Sequence, residues 1–190
     1  MEILFYLATL CLVLFMVLAT YDGLYLHLFK FGLFNREESI FEHKTHTVRA
    51  ILFPLIVWFL FINETSFVGF LMGLTFVFLD LIVLGIDAYS EKESRSFMGG
   101  LPRWEYIVHL FANAFHFSAI VLVLSLKINV VDSGLVFIDH FASSSAKELF
   151  AFVSINVIPG AIILAILHFI LLLDGPKTFW NMYRSKITCC

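Results

Sequence analysis

The stretch FVGFLMGLTFVFLDLIVLGIDAYSEKESR, Phe67 to Arg95, decides the fold. From Phe67 to Ile86 it carries a single charge, Asp80, among Phe, Leu, Val, Ile, Met, Gly and Thr. A helix needs about 20 predominantly apolar residues to cross a bilayer, and in lipid only helices or closed barrels satisfy every backbone N–H and C=O. The run shows none of the polar alternation of a barrel strand, so it predicts a transmembrane helix.

Runs of the same kind flank it at about Ile3 to Tyr21, Val48 to Ile62, Trp104 to Leu126 and Leu149 to Leu173. The second is short and interrupted by Pro54, and the segment from Ile40 extends it into the headgroup layer. The sequence therefore reads as all-α: a polytopic integral membrane protein, residues 1–190 forming one domain, with five spans at about 3–21, 40–62, 67–86, 104–126 and 149–173. Strands are excluded by this reading.

Composition agrees. Hydrophobic residues make up 61% of the chain and charged ones 14%, with mean hydropathy +0.94, against about 45–50% apolar in an ordinary soluble domain. The first run is expected to remain as a span, because Glu2 replaces the basic start of a signal peptide and no small-x-small site precedes Tyr21. Lys and Arg concentrate in the first and third connections and the tail, leaving only Lys127 and Lys147 on the other side. The positive-inside rule then puts the N-terminus outside and the C-terminus in the cytoplasm.

Net charge −3 without a basic cluster gives no reason to expect nucleic-acid binding; membrane lipids are the expected surroundings, and the oligomeric state is open. Cys11 lies in a span and Cys189 and Cys190 end the chain, so no disulfide framework is indicated. The Asn63 sequon sits too close to the bilayer to be a convincing glycosylation site. The outer connection, Lys127 to Ser145, is expected to hold an interfacial or re-entrant segment, with Asp139 and His140 at the surface and a capping box from Ser145 and Glu148.

The candidate site begins with SIFEHKTHTVR, Ser39 to Arg49. At helical period Glu42, His43, His46 and Arg49 fall within an arc of about 120°. Ser39 and Glu42 also match a capping box, so headgroup anchoring is the competing reading. A second cluster raises the odds of a site: Glu105, His109, Asn113 and His116 occupy an arc of about 80° on the fourth span. On the third, Asp87 lies near the boundary and Asp80 about 10 Å deeper, from the helical rise. Asp22 and His27 on the first span and His168 on the fifth approach the same half.

Two layers follow. The boundary layer supplies candidate metal ligands His27, Glu42, His43, His46, Asp87, Glu105, His109 and His168. The deeper layer, Asp80 and His116 with Arg49, supplies candidate catalytic groups. Imidazole nitrogen and carboxylate oxygen together ligate iron or zinc, and helix bundles assemble such centres from inward residues, with one ion or a pair. His43, His46 and His109 are expected to be indispensable for metal binding.

The expected function is a metal-dependent membrane enzyme, an oxidoreductase or hydrolase of lipid metabolism, acting on a lipid or other apolar substrate. The pattern is broadly similar to histidine-rich membrane hydroxylases and desaturases, without their paired-His boxes. A proton-coupled transporter or channel, a haem-binding electron carrier and a structural subunit are the alternatives. Arg49, Arg95 and Arg103 are read as positive-inside anchors or as partners for a lipid headgroup.

Overall fold

The computed structural model describes residues 1–132 and 134–188; the C-terminal Cys189 and Cys190 lie outside them. Five helices are long and apolar enough to cross a membrane: α1 (Glu2–Phe31), α2 (Ile40–Ile62), α3 (Phe67–Ser94), α4 (Arg103–Lys127) and α5 (Ser145–Ile170). A sixth, α6 (Asp174–Thr188), is shorter and amphipathic. Between α4 and α5 lies a hairpin of β1 (Ile128–Val131) and β2 (Gly134–Phe137).

Several boundaries differ from the sequence reading for physical reasons. α1 does not stop near Tyr21: it continues as a π-helix over Thr20–Phe31 and ends at Gly32, whose positive φ of 60° suits glycine. α2 likewise becomes π-helical over Val57–Ile62, just after Pro54 has removed one backbone donor. α3 runs past Ile86 to Ser94, because its last polar turns are buried against other helices. α5 begins at Ser145 rather than Leu149; its cap is Ser144, whose hydroxyl accepts from the Lys147 N–H, while Glu148 accepts from Ser143. Ser39 does not cap α2 with its side chain, its hydroxyl donating instead to the Ser94 carbonyl at 2.6 Å.

The exclusion of strands is corrected by the hairpin, in which Ile128 pairs with Phe137 and Val131 with Gly134. β-branched residues on both arms and a glycine at φ 126° favour it. It closes the end of the bundle at which α1 begins: Phe137 packs on Phe70 with ring centroids 4.9 Å apart, and Phe141 meets Phe5 edge-on at 5.6 Å. The Asn63 side chain is engaged in the turn before α3, its Nδ2 donating to the Ser66 carbonyl and its Oδ1 accepting from the Ser66 N–H.

The helices pack in the order α4, α1, α5, α2, α3, each against the next. Among the described residues α3 and α4, the two ends of this arc, are not closely packed; polar side chains bridge them. Phe5, Leu12, Ile56, Leu60, Phe70 and Ile120 belong to a continuous apolar core in the half nearer the hairpin. The outward faces remain apolar, as Val68, Phe78, Phe152 and Ile163 show, which is what a hydrocarbon solvent requires.

The α2–α3 contact rests on Gly73. A Cβ there would lie 3.0 Å from the Leu60 Cβ and 3.1 Å from its backbone nitrogen, so the helices must separate to admit it. Gly73→Ala is expected to destabilise the fold by about 1–3 kcal/mol through overpacking. Gly85→Ala, with nothing within 4 Å of the new methyl, should be neutral or stabilising. Melting of the two variants in detergent reads the difference, and equal melting would refute the close approach.

Candidate metal centre

The half of the bundle away from the hairpin buries six carboxylates, Asp22, Glu42, Asp80, Asp87, Glu91 and Glu105, with the buried guanidinium of Arg95 and the half-buried one of Arg49. Burying a charge in a low-dielectric interior costs several kcal/mol unless it is compensated. The remaining negative charge is met by protons on the imidazoles His27, His46, His109 and His116, by protons on the carboxyls themselves, or by bound cations.

Arg95 organises the boundary layer. It ends α3, is fully buried, and donates to Glu42 Oε2 at 2.6 Å, to Glu105 Oε1 at 2.8 Å and to the Ser94 hydroxyl at 3.0 Å. Burial opposes its charge, but Glu42 and Glu105 outweigh that and hold its pKa above the ordinary value. Each carboxylate gives one oxygen to the guanidinium. The other oxygen of each, Glu42 Oε1 and Glu105 Oε2, is buried without a hydrogen-bond donor. An orphaned carboxylate oxygen is costly unless something positive meets it.

His27 stands beside these oxygens. Its Nε2 lies 3.3 Å from Asp22 Oδ1, 3.8 Å from Glu42 Oε1 and 3.3 Å from Arg95 Nη2. His46 Nε2 is 3.8 Å from the same Glu42 oxygen and 3.0 Å from Asp87 Oδ2, without an aligned hydrogen bond. Thr45 donates to the other Asp87 oxygen at 2.5 Å. His109 presents Nδ1 to Glu91 at 2.9 Å and Nε2 to Asp22 Oδ1 at 3.0 Å. A protonated His109 donates to both carboxylates, whereas a neutral ring that donates from Nδ1 to Glu91 turns its Nε2 lone pair toward Asp22 and toward any cation held there.

Two sets of ligand atoms lie within 4.8 Å of one another: Asp22, His27 and His46, and His27, Glu105 and His109. Ions of the iron and zinc class hold their ligands at about 2.0–2.2 Å, so either set closes on an ion with small movements. Glu91 supports His109 and Thr45 supports Asp87 from behind; Asp87 and Glu42, expected as ligands, belong to neither set but border the first through His46.

His43 and His168 lie elsewhere. His43 Nε2 bonds the His168 carbonyl at 3.0 Å, and His168 Nε2 meets the Gly23 carbonyl at 3.2 Å. Their rings stack 5.1 Å apart on the α5 side. Neither belongs to the two ligand sets. The expectation that His43 shares a centre with His46 does not match this geometry: three residues apart, one faces α5 and the other α3.

The deeper layer is a separate network. His116 Nε2 lies 3.1 Å from Asp80 Oδ2, while Arg49 donates to Asp80 Oδ1 at 3.1 Å and to Asn113 at 2.9 Å. Phe15 packs over His116 at 4.6 Å. A cavity of about 100 Å³, lined by residues of all five long helices, touches both layers, including His46, Asp22 and His109 below and Arg49, Asp80 and His116 above. Arg95 is not the headgroup anchor of the sequence reading, since both faces of its fork are occupied inside the protein.

Sequence reasoning underrated Asp22 and passed over Glu91, Thr45 and the organising role of Arg95. The signal for Asp22 and Glu91 was weak but present: acids within or bordering long apolar helices. The class defined by fold and site is an all-α chain with five potential spans and a buried His/carboxylate cluster. Comparison with protein-family models, curated proteins and solved structures finds no match.

Proposed function

We propose that the chain is a multi-pass membrane metalloenzyme acting on a lipid or another apolar substrate, its ion held by Asp22, His27 and His46 with Glu42 Oε1 completing the set. The observation that carries this reading is Glu42 Oε1, a buried acceptor without a donor that lies 3.8 Å from both His27 Nε2 and His46 Nε2, beside Asp22, which touches two imidazoles. His27 belongs to both ligand sets, and one nitrogen lone pair serves one ion, which favours a single ion over a pair.

A bound ion would supply Lewis-acid polarisation of a substrate oxygen. Asp80 and His116, opening on the same cavity, are suited to move a proton, with Arg49 fixing the Asp80 carboxylate. The apolar core above the site supports an enzyme over a channel, and about 100 Å³ is far too small for a haem.

Elemental analysis of protein purified without added metals tests the reading. About one ion per folded chain is expected; zinc favours hydrolysis, iron without a haem band favours oxidation, and no metal overturns the proposal. Orientation, with the N-terminus outside and the site near the cytoplasmic boundary, is part of the same proposal. Single-cysteine variants Glu64→Cys and Met98→Cys should label from opposite sides of sealed vesicles. Labelling from the same side would overturn that topology.

A further inference from the structure

The cavity has one exposed lining residue, Thr20, where α1 passes from α-helix to π-helix. Beside it on α1 lie Met16, Ala19 and Gly23, and across from them Ala161 and Leu164 of α5 line the same space. Gly23 faces α5 at ordinary contact distance: a Cβ there would stand 3.6 Å from Leu164 and 3.5 Å from His168. Exposed Thr20 and half-buried Leu164 both line the cavity, so its opening is taken at the seam of α1 and α5. Around it Val17 is 63% exposed, Tyr21 41% and Ile163 60%, so the opening is set in an apolar surface. In a spanning bundle such a surface faces hydrocarbon rather than water.

Size then limits what enters. At about 10–15 Å³ of cavity space per water sphere, a space of about 100 Å³ admits roughly seven to ten water-sized groups. A phosphocholine or sugar headgroup, with more than about ten non-hydrogen atoms, overfills it. A carboxylate, hydroxymethyl or aldehyde terminus fits, provided the hydrocarbon chain remains outside, between α1 and α5 and in the bilayer.

We infer that the substrate is a long-chain amphiphile with a small polar end, of the fatty acid, alcohol or aldehyde class, which inserts that end sideways between α1 and α5. This rests on the metalloenzyme reading and narrows its substrate. Apolar walls from Phe15, Met16, Phe53 and Leu164 would meet the first methylenes, while the polar end would reach His46 and Arg49 on the far side of the cavity.

The test uses purified full-length protein and a palmitic acid bearing a diazirine near its carboxyl end, with labelled residues found by mass spectrometry. Labelling is expected at Met16, Ala19 or Leu164. A tenfold excess of palmitic acid or hexadecanol should reduce it at least about fivefold by mass action, whereas palmitoyl lysophosphatidylcholine should not. Thr20→Trp and Leu164→Trp should each block the mouth, lowering labelling of the cavity while metal content stays at the wild-type level. Thr20, being exposed, keeps the test open if Leu164→Trp does not fold. Labelling spread evenly over outward residues such as Phe78, equal competition by the lysolipid, or full labelling in both tryptophan variants would overturn the inference. Repeating the labelling on metal-stripped protein separates the two readings: a lipid slot that persists without metal survives failure of the metal assignment.

Discussion

Purified His27→Ala protein is expected to hold less than about a tenth of the wild-type metal, since removing even an outer partner of a ligand lowers affinity by 10–100-fold. His27 should be the most sensitive position because it belongs to both ligand sets and lies fully buried beside Asp22 and Glu42. Asp22→Asn should follow, losing the charge that faces both His27 and His109. By contrast His43→Ala should retain the ion, as its Nε2 is engaged by the His168 carbonyl. Asp80→Asn and His116→Ala should keep the metal and lose activity, and His140, exposed at the hairpin end, serves as a control. Metal is to be measured per folded chain, with size-exclusion and circular dichroism confirming each variant. Depletion in His43→Ala as complete as in His27→Ala would move the ion toward α5 and refute the ligand set.

These contrasts show where one-dimensional reasoning succeeds. The inward arc of Glu105, His109, Asn113 and His116 was legible because α4 is a regular α-helix, over which 100° per residue holds. The same rule failed on α1. Residues five apart in an α-helix point about 140° away from each other, so Asp22 and His27 looked unrelated. In the π-helical segment they meet at 3.3 Å. Nothing in LATYDGLYLHLFK announces the wider turn, although π-helical turns tend to occur at functional sites.

Arg95 illustrates a different loss. An arginine at the cytoplasmic end of an apolar run reads as an anchor, because charge asymmetry is a property of the segment and not of any one residue. Only the fold reveals that Glu42 of α2 and Glu105 of α4 arrive on its two sides. Depth was the easier part, since Asp80 and Asp87 on one helix face fix two levels whatever the neighbours are. The hairpin between α4 and α5 was obscured by its apolar content, which suits an interfacial helix as well as a strand.

Arg95→Met should be the most destabilising single change in the half away from the hairpin. Removing one partner of a buried ion pair leaves an uncompensated charge, at a penalty of about 3–5 kcal/mol. Here two fully buried carboxylates, Glu42 and Glu105, would be stranded together. The variant is expected to accumulate poorly or to melt far below wild type. Arg95→Lys should recover only part, since a single ammonium cannot match a fork that reaches Glu42 through Nη1 and Glu105 through Nε. The informative comparison is the double variant Arg95→Met/Glu105→Gln, which removes one stranded charge and should be more stable than Arg95→Met alone. If the guanidinium also fixes which oxygens remain free for the ion, that double variant should fold and yet bind metal weakly, because Glu42 no longer has a partner to orient it. A double variant as unstable as Arg95→Met would show that the arginine acts through packing alone; one with full metal affinity would show that the ion needs no such organiser.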